Sequence, residues 1–143
     1  MAQGDLTIFD EAKLALLDGT HDLDTDNIRV AIINNTTVPT ASDTTPALGD
    51  YTTVSGGNFP ATPDLMTTSL TEVGGTVTYD FTTNLSYAQN ASNPTDVYYA
   101  IIYNDTATGD PAIGFVELAA SGFDATGGDF SLDWNALGVF TLI

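Results

Sequence analysis

The segment from Val97 to Tyr103 constrains the fold more than any other part of the sequence, because it is apolar on both faces of an extended strand. Tyr98, Ala100 and Ile102 would point to one face, and the residues between them to the other. A strand of this kind is covered by another layer on each side of its sheet. We therefore expect a central strand here, with an amphipathic helix or a neighbouring subunit as the second cover.

One segment, from Asp5 to Asp18, has the residue spacing of an amphipathic helix. Asp5 or Thr7 would cap its first turn, and Gly19 would end it in the left-handed conformation that glycine adopts readily. We expect this helix to pack on the sheet that contains the central strand. The apolar stripe that makes the contact comprises Leu6, Phe9, Leu16 and Leu17.

The rest of the chain alternates short strands with turns. A Gly-Gly pair at 74–75 predicts a two-residue hairpin turn, whose register sets Leu70 opposite Tyr79. The predicted strands are Ile28–Ile33, Leu70–Val73, Thr76–Phe81, Val97–Tyr103, Ala112–Leu118, Phe130–Trp134 and Val139–Ile143. About seven or eight strands from residue 28 to 143, with one N-terminal helix at about 5–18, predict a mainly β fold. We expect a single domain over residues 1–143, built as a jelly-roll-like antiparallel β-sandwich.

The chain carries a large excess of negative charge. Lys13 and Arg29 stand against nineteen acidic residues, which gives a formal net charge of -17. Such a chain lacks the cations that bind nucleic-acid phosphates or an anionic membrane surface, so neither partner is expected. The absence of cysteine excludes disulfides, thiolate metal ligands and a cysteine nucleophile. The first residues lack the features of a signal peptide, so we expect synthesis in the cytoplasm.

Three alternating carboxylates, Asp22, Asp24 and Asp26, resemble the start of a calcium-binding loop. An EF-hand needs glycine at its sixth position and glutamate at its twelfth, where this chain has Asn27 and Ile33. Outside the EF-hand pattern, alternating carboxylates before a strand are more often an Asx-rich turn than a calcium site. We therefore predict no metal or other cofactor, with calcium at these three aspartates as the alternative.

No set of residues has the pattern of a catalytic site, so the protein is not predicted to be an enzyme. His21, the only histidine, follows the helix and is expected to be a capping or solvated residue. Asp129 and Asp133 share one side of a predicted strand and would point to solvent, so they are expected to form a solvated face rather than a catalytic pair. Trp134 lies on the opposite side of that strand and is expected in the core.

Over nearly its whole length, the chain resembles small virion structural proteins of tailed viruses. The resemblance is carried by "DLDTDNIRVAIIN", "YTTVSGGN", "VYYAIIYNDTATGDPAIGFVEL" and "GGDFSLDWNALGVFTLI". It implies a capsid decoration (cement) protein, made in the host cytoplasm, that binds the major capsid protein on the outer surface of an icosahedral head. It also implies self-association as a homotrimer, and it brings no catalytic residues.

Two other functions stay open at this point. A tail, baseplate or fibre component of the same kind of virion would share the resemblance, although a receptor-binding protein is expected to have aromatic residues at loop tips. A secreted ligand-binding β-sandwich module is disfavoured by the missing signal peptide. The near absence of Lys and Arg departs from the family and predicts adaptation to a marine or hypersaline medium, where salt screens the repulsion between carboxylates.

Overall fold

A five-stranded antiparallel sheet lies at the centre of the structure, a computed structural model that describes residues 4–143. The elements are β1 (Leu6–Ile8), α1 (Asp10–Asp18), β2 (Ile28–Ile33), a 3-10 helix (Leu48–Asp50), β3 (Asp64–Leu65), β4 (Thr68–Val73), β5 (Thr76–Phe81), β6 (Leu85–Tyr87), β7 (Tyr99–Asn104), β8 (Ala112–Glu117), β9 (Phe130–Leu132) and β10 (Phe140–Leu142). The central sheet has the order β1-β8-β7-β2-β3. Its middle strand is β7, which confirms the predicted central strand.

One face of the central sheet is closed by α1 and the segment around the 3-10 helix. Ile101 of β7 and Phe115 of β8 belong to one hydrophobic cluster with Phe9, Ala12 and Tyr51. The Phe9 ring lies 5.1 Å from the ring of Phe115, measured between centroids. The start of the helix is therefore the second cover that the two-sided apolar pattern required.

The other face packs against two smaller antiparallel sheets, with strand orders β10-β5-β4 and β6-β9. We call the first of these, formed by β4, β5 and β10, the hairpin sheet. The buried cluster between the layers includes Val30, Ile32, Ala100, Ile102, Tyr79, Phe81, Leu85, Tyr87 and Phe130. The fold is thus mainly β with antiparallel sheets and one helix, as predicted, and its layers are compatible with a β-sandwich.

The predicted helix begins five residues too early. Residues 6–8 form β1, which pairs with β8 and sets Ile8 opposite Gly114. A Cβ atom at Gly114 would lie 2.7 Å from the carbonyl oxygen of Thr7, so the close approach of these two backbones requires glycine. Phe9, and neither Asp5 nor Thr7, occupies the N-cap, and it makes no side-chain capping bond. Pairing with a distant strand has overridden the helical spacing.

The shorter helix changes which residues face the core. Phe9 is fully buried, but Leu17 is 86% exposed, so its predicted contact with the sheet is wrong. In a helix of 3.6 residues per turn, Leu17 lies about 140° around the axis from the buried Ala12. Gly19 ends the helix with a φ of 84°, as predicted. In the part of the chain that the structure describes, no helix is long and apolar enough to span a membrane.

The hairpin register is confirmed, with Leu70 opposite Tyr79 and Val73 opposite Thr76. Residues 28–143 contain nine strands, against the seven or eight expected. The additional strands include β3 and β6, which have two and three residues. Strands this short are too brief to show a readable alternation of apolar and polar residues.

Candidate functional site

The acidic loop, residues 20–27 between α1 and β2, contains the three candidate calcium ligands. Asp22 and Asp24 are exposed, and Asp26 is half-buried. The Asp24 amide donates a hydrogen bond to Asp22 Oδ1 at 3.1 Å, and the Asp22 amide donates one to Asp26 Oδ2 at 3.0 Å. These contacts form the Asx-rich turn described above as the more frequent arrangement. Within residues 4–143, no three His, Asp or Glu side chains are grouped to hold a metal ion.

Asn104 anchors the acidic loop to the end of β7. Its side chain is fully buried, and Nδ2 donates to Asp26 Oδ2 at 2.6 Å. Its Oδ1 accepts hydrogen bonds from the backbone amides of Thr106 and Ala107, at 2.9 and 3.0 Å. A single amide side chain therefore joins the loop before β2 to the turn after β7. Such a buried group is costly to remove, because its partners would be left without hydrogen bonds.

His21 is only 4% exposed, so the expectation of a solvated histidine is wrong. Its backbone N–H donates to the carbonyl of Ala15 at 3.1 Å, so the main chain of His21 caps the end of α1. Its ring Nδ1 lies 3.3 Å from Asn104 Nδ2. Burial lowers the pKa of the imidazole, and the charges of Asp26 and Asp18 offset only part of this effect. The ring is therefore neutral at pH 7 and brings no positive charge to the helix end.

A cavity of about 250 Å³ lies beside His21, between α1 and residues 45–47 and 108–112. Its apolar lining consists of Ala12, Ala15, Pro46, Ala47, Pro111 and Ala112. Glu11 also lines the cavity, and its Oε2 accepts a hydrogen bond from the Thr45 amide at 2.8 Å. The cavity thus presents the neutral imidazole of His21 and the carboxylate of Glu11, which already accepts a backbone hydrogen bond. This arrangement provides hydrogen-bonding groups in a mainly apolar wall.

The other predicted residues occupy the expected environments. Asp129 and Asp133 are both exposed, and Asp129 Oδ1 accepts a hydrogen bond from the Gln89 amide at 2.7 Å. Trp134 is half-buried and packs edge-to-face against Phe81, with ring centroids 4.9 Å apart. The prediction of solvated aspartates is therefore confirmed, while Trp134 packs against the core but stays half-buried at its margin.

Both basic side chains of the sequence are engaged within the protein. Lys13 Nζ lies 2.7 Å from Asp10 Oδ1 in an exposed ion pair. Arg29 Nε donates to Asp105 Oδ2 at 2.9 Å, and its Nη1 donates to the carbonyl of Pro63 at 2.7 Å. The hydrogen bond to Asp105 raises the pKa of the Arg29 guanidinium. The positive charges are therefore already neutralised by carboxylates of the chain itself.

The hairpin sheet carries much of the exposed apolar surface. Its exposed large apolar side chains, including two just outside its strands, are Leu70, Val73, Leu137, Leu142 and Ile143. The strands of this sheet contain two charged side chains, Glu72 and Asp80, and residues 134–143 contain none. This surface was not predicted from the sequence. The low charge of these segments, in a chain of net charge -17, is the signal that indicates it.

The acidic loop and the hairpin sheet therefore present different chemical groups to another molecule. In the loop, carboxylates such as Asp22 and Asp26 accept hydrogen bonds from the chain itself. In the hairpin sheet, large apolar side chains such as Val73 are directed to solvent.

Comparison of the chain with models of protein families, with curated proteins and with solved structures found no match.

Proposed function

We propose that this protein is a capsid decoration protein, which binds the outer surface of an icosahedral virion head through contacts with the major capsid protein. The observation that carries the proposal is the exposed apolar surface of the described chain, above all on the hairpin sheet, whose strands contain only two charged side chains. Leu14 and Leu17 form one exposed apolar pair on α1, and the hairpin sheet exposes Leu70 and Leu142 on one face and Val73 on the other. Apolar patches within a polar surface are typical of sites that bind other proteins.

The segments that carry the resemblance to virion proteins support the same function. "DLDTDNIRVAIIN" contains the acidic loop and β2, and "VYYAIIYNDTATGDPAIGFVEL" contains β7 and β8. In the central sheet these strands are neighbours, in the order β8-β7-β2. The resemblance therefore covers the strands that organise the fold, and is not confined to one surface motif.

The proposed mechanism is stabilisation by mass action. A protein that binds the assembled shell, and does not bind the dissociated subunits, stabilises the shell by its binding free energy. At a free concentration one hundred times the dissociation constant, this amounts to about 2.7 kcal/mol per site. The chain needs no catalytic group for this role. Its packed sheets provide a rigid body that bridges neighbouring capsid subunits.

The proposal is tested on purified particles with and without the protein. Heating or osmotic shock should release the genome from bare particles at a lower temperature or a smaller osmotic step, and addition of purified protein should restore the resistance. Equal resistance of bare and decorated particles would contradict the proposal. Labelling of the protein in intact virions provides the second readout, because a label on the tail would replace decoration by the tail or fibre function.

Two matched variants identify the surface that contacts the shell. Leu17→Glu and Leu142→Glu each replace an exposed leucine by a carboxylate, on α1 and on the hairpin sheet respectively. Each variant is added to bare particles, and the amount bound is measured. A decoration protein should lose occupancy with at least one of them while its melting temperature stays unchanged. Full occupancy with both variants would show that neither apolar patch faces the shell.

A further inference from the structure

Strand β4 forms an open edge of the hairpin sheet, which has the order β10-β5-β4. The amide of Thr82 donates to the carbonyl of Thr67 at 2.9 Å, so this pair occupies a hydrogen-bonded position of the ladder at the start of the hairpin. Because such pairs alternate along an antiparallel ladder, the backbone groups of Thr68, Leu70 and Glu72 point away from β5. Among residues 4–143, the hydrogen bonds outside the strand ladders give these groups no partner.

This edge lacks the features that usually protect an exposed strand. Natural edges are protected by Lys, Pro, bulges or very short length. Strand β4 has six residues, contains no Lys, Arg or Pro, and pairs with β5 in a continuous register. Its one charged side chain is Glu72, whose Oε1 accepts a hydrogen bond from the Gly75 amide at 2.6 Å. The carboxylate is thus bound to its own turn and does not extend across the edge.

A row of apolar side chains crosses the hairpin sheet and ends at this edge. Phe140 lies opposite Tyr79, and Tyr79 lies opposite Leu70. Tyr79 is buried, Phe140 is half-buried, and Leu70 is 42% exposed. The row is therefore buried at its centre and most exposed at Leu70.

We propose that two copies of this chain associate by antiparallel pairing of β4 with the partner's β4, around a two-fold axis at Leu70. In this register Leu70 lies opposite the partner's Leu70, and Thr68 lies opposite the partner's Glu72. The three facing pairs exchange about six backbone hydrogen bonds, two for each pair. The two hairpin sheets become one six-stranded sheet, and the apolar row continues through both leucines into the second copy.

A second copy fits this edge because the edge is self-complementary and has little charge. The register centred on Leu70 keeps the two Glu72 carboxylates apart, whereas a register centred on Glu72 would bring like charges together. Asp80 lies opposite Ser69, one strand in from the edge, and repulsion between the carboxylates of the two copies is screened at 1 M salt, where the Debye length is about 3 Å. The contact is small, so the dimer belongs to the weak, concentration-dependent class. This inference is independent of the proposed decoration function.

The first test measures mass by sedimentation equilibrium in 1 M NaCl over a range of protein concentrations. The wild-type protein should change from monomer to dimer. Leu70→Glu should raise the dissociation constant about tenfold or more, because it sets two carboxylates opposite each other. Leu142→Glu is the matched control, since it makes the same chemical change at an exposed leucine on the opposite edge of the same sheet. It should leave the dissociation constant within about twofold of the wild-type value.

The second test uses the absence of native cysteine. Leu70→Cys should form a disulfide-linked dimer under mild oxidation, and Leu142→Cys should not. A monomer at every concentration, a trimer as the resemblance implied, or a dimer that Leu70→Glu leaves intact would each overturn the proposal. Binding of β4 to a strand of another protein would appear as a monomer here, and would overturn it as well.

Discussion

The acidic loop and the hairpin sheet show two ways in which one chain handles its polar groups. In the loop, the carboxylates of Asp22 and Asp26 accept hydrogen bonds from backbone amides and from Asn104 at the end of β7. In the hairpin sheet, the outer side of β4 has no neighbouring strand, and side chains such as Leu70 and Val73 are exposed. The more charged of these two regions uses carboxylates to fix its own turn, and the less charged one exposes apolar side chains that are suited to contacts.

This difference shows that net charge alone is a poor guide to the binding surface. A formal charge of -17 describes the whole chain, whereas a contact depends on the groups that meet in it. In the acidic loop, charge is used to fix a turn. In the hairpin sheet, the lack of charge allows another apolar surface to approach without electrostatic cost.

The largest expected effect concerns the framework that both regions share. Phe9→Ala should lower the free energy of unfolding by about 4 kcal/mol, because it leaves a cavity between α1 and the central sheet. Leu17→Ala, at an exposed position of the same helix, should cost less than about 0.5 kcal/mol. Chemical denaturation measures both values. A loss below about 0.5 kcal/mol in Phe9→Ala would show that the helix is not part of the core.

The next largest effect concerns the hydrogen bonds by which Asn104 holds the acidic loop. Asn104→Ala should cost about 3 kcal/mol, because it leaves the amides of Thr106 and Ala107 and the carboxylate of Asp26 without their buried partner. Asn35→Ala, at an exposed position, is the control and should cost less than about 0.5 kcal/mol. Urea denaturation compares the two variants. Equal stability of both would mean that the contacts of Asn104 contribute nothing to the fold.

The salt dependence should be smaller than the loss in Asn104→Ala and should act on both regions. Between about 0.05 and 1 M monovalent salt the Debye length shortens several-fold, so repulsion among the carboxylates decreases while apolar packing is retained. Thermal stability and the dimer fraction should therefore rise together. Divalent cations should act at lower concentration, and more strongly if Asp22, Asp24 and Asp26 bind calcium. A melting temperature that is flat across this range would contradict adaptation to salt.

The smallest effect is the pH dependence of the acidic loop. Burial lowers the pKa of His21 in the folded protein, so the unfolded chain binds this proton at a higher pH than the folded chain does. Stability should consequently fall as the pH drops below the ordinary histidine pKa of about 6.5. His21→Asn should lack this decline. Melting curves recorded from pH 7.5 to 5.5 test this prediction. If the melting temperature changes equally with pH in the wild-type protein and in His21→Asn, His21 is excluded as the source of the decline.

Much of the β framework could be predicted from sequence, because strand alternation and turn residues act locally. The Gly-Gly turn at 74–75 fixes the register of β4 and β5 within a dozen residues. The helix start could not be predicted in this way. Leu6 and Ile8 fit both a helix and a strand, and the pairing with β8 that decides between them involves residues more than 100 positions later.

The same limit applies to the candidate sites. The burial of His21 depends on Asn104, which is distant in sequence and reaches the loop only in the folded sheet. The open edge of β4 depends on which strands pair, and periodicity does not report pairing. The solvated positions of Asp129 and Asp133 were predictable, since the two residues flank the short strand β9 and carboxylates are rarely buried without a partner.

Hydrogen–deuterium exchange as a function of protein concentration, in 1 M NaCl, tests the contrast between the two regions most directly. Each amide is followed separately in dilute and in concentrated protein. We predict that the amides of Thr68, Leu70 and Glu72 exchange more slowly in the concentrated sample, while residues 20–27 exchange at the same rate in both. Slower exchange in the acidic loop, with no change along β4, would contradict the account.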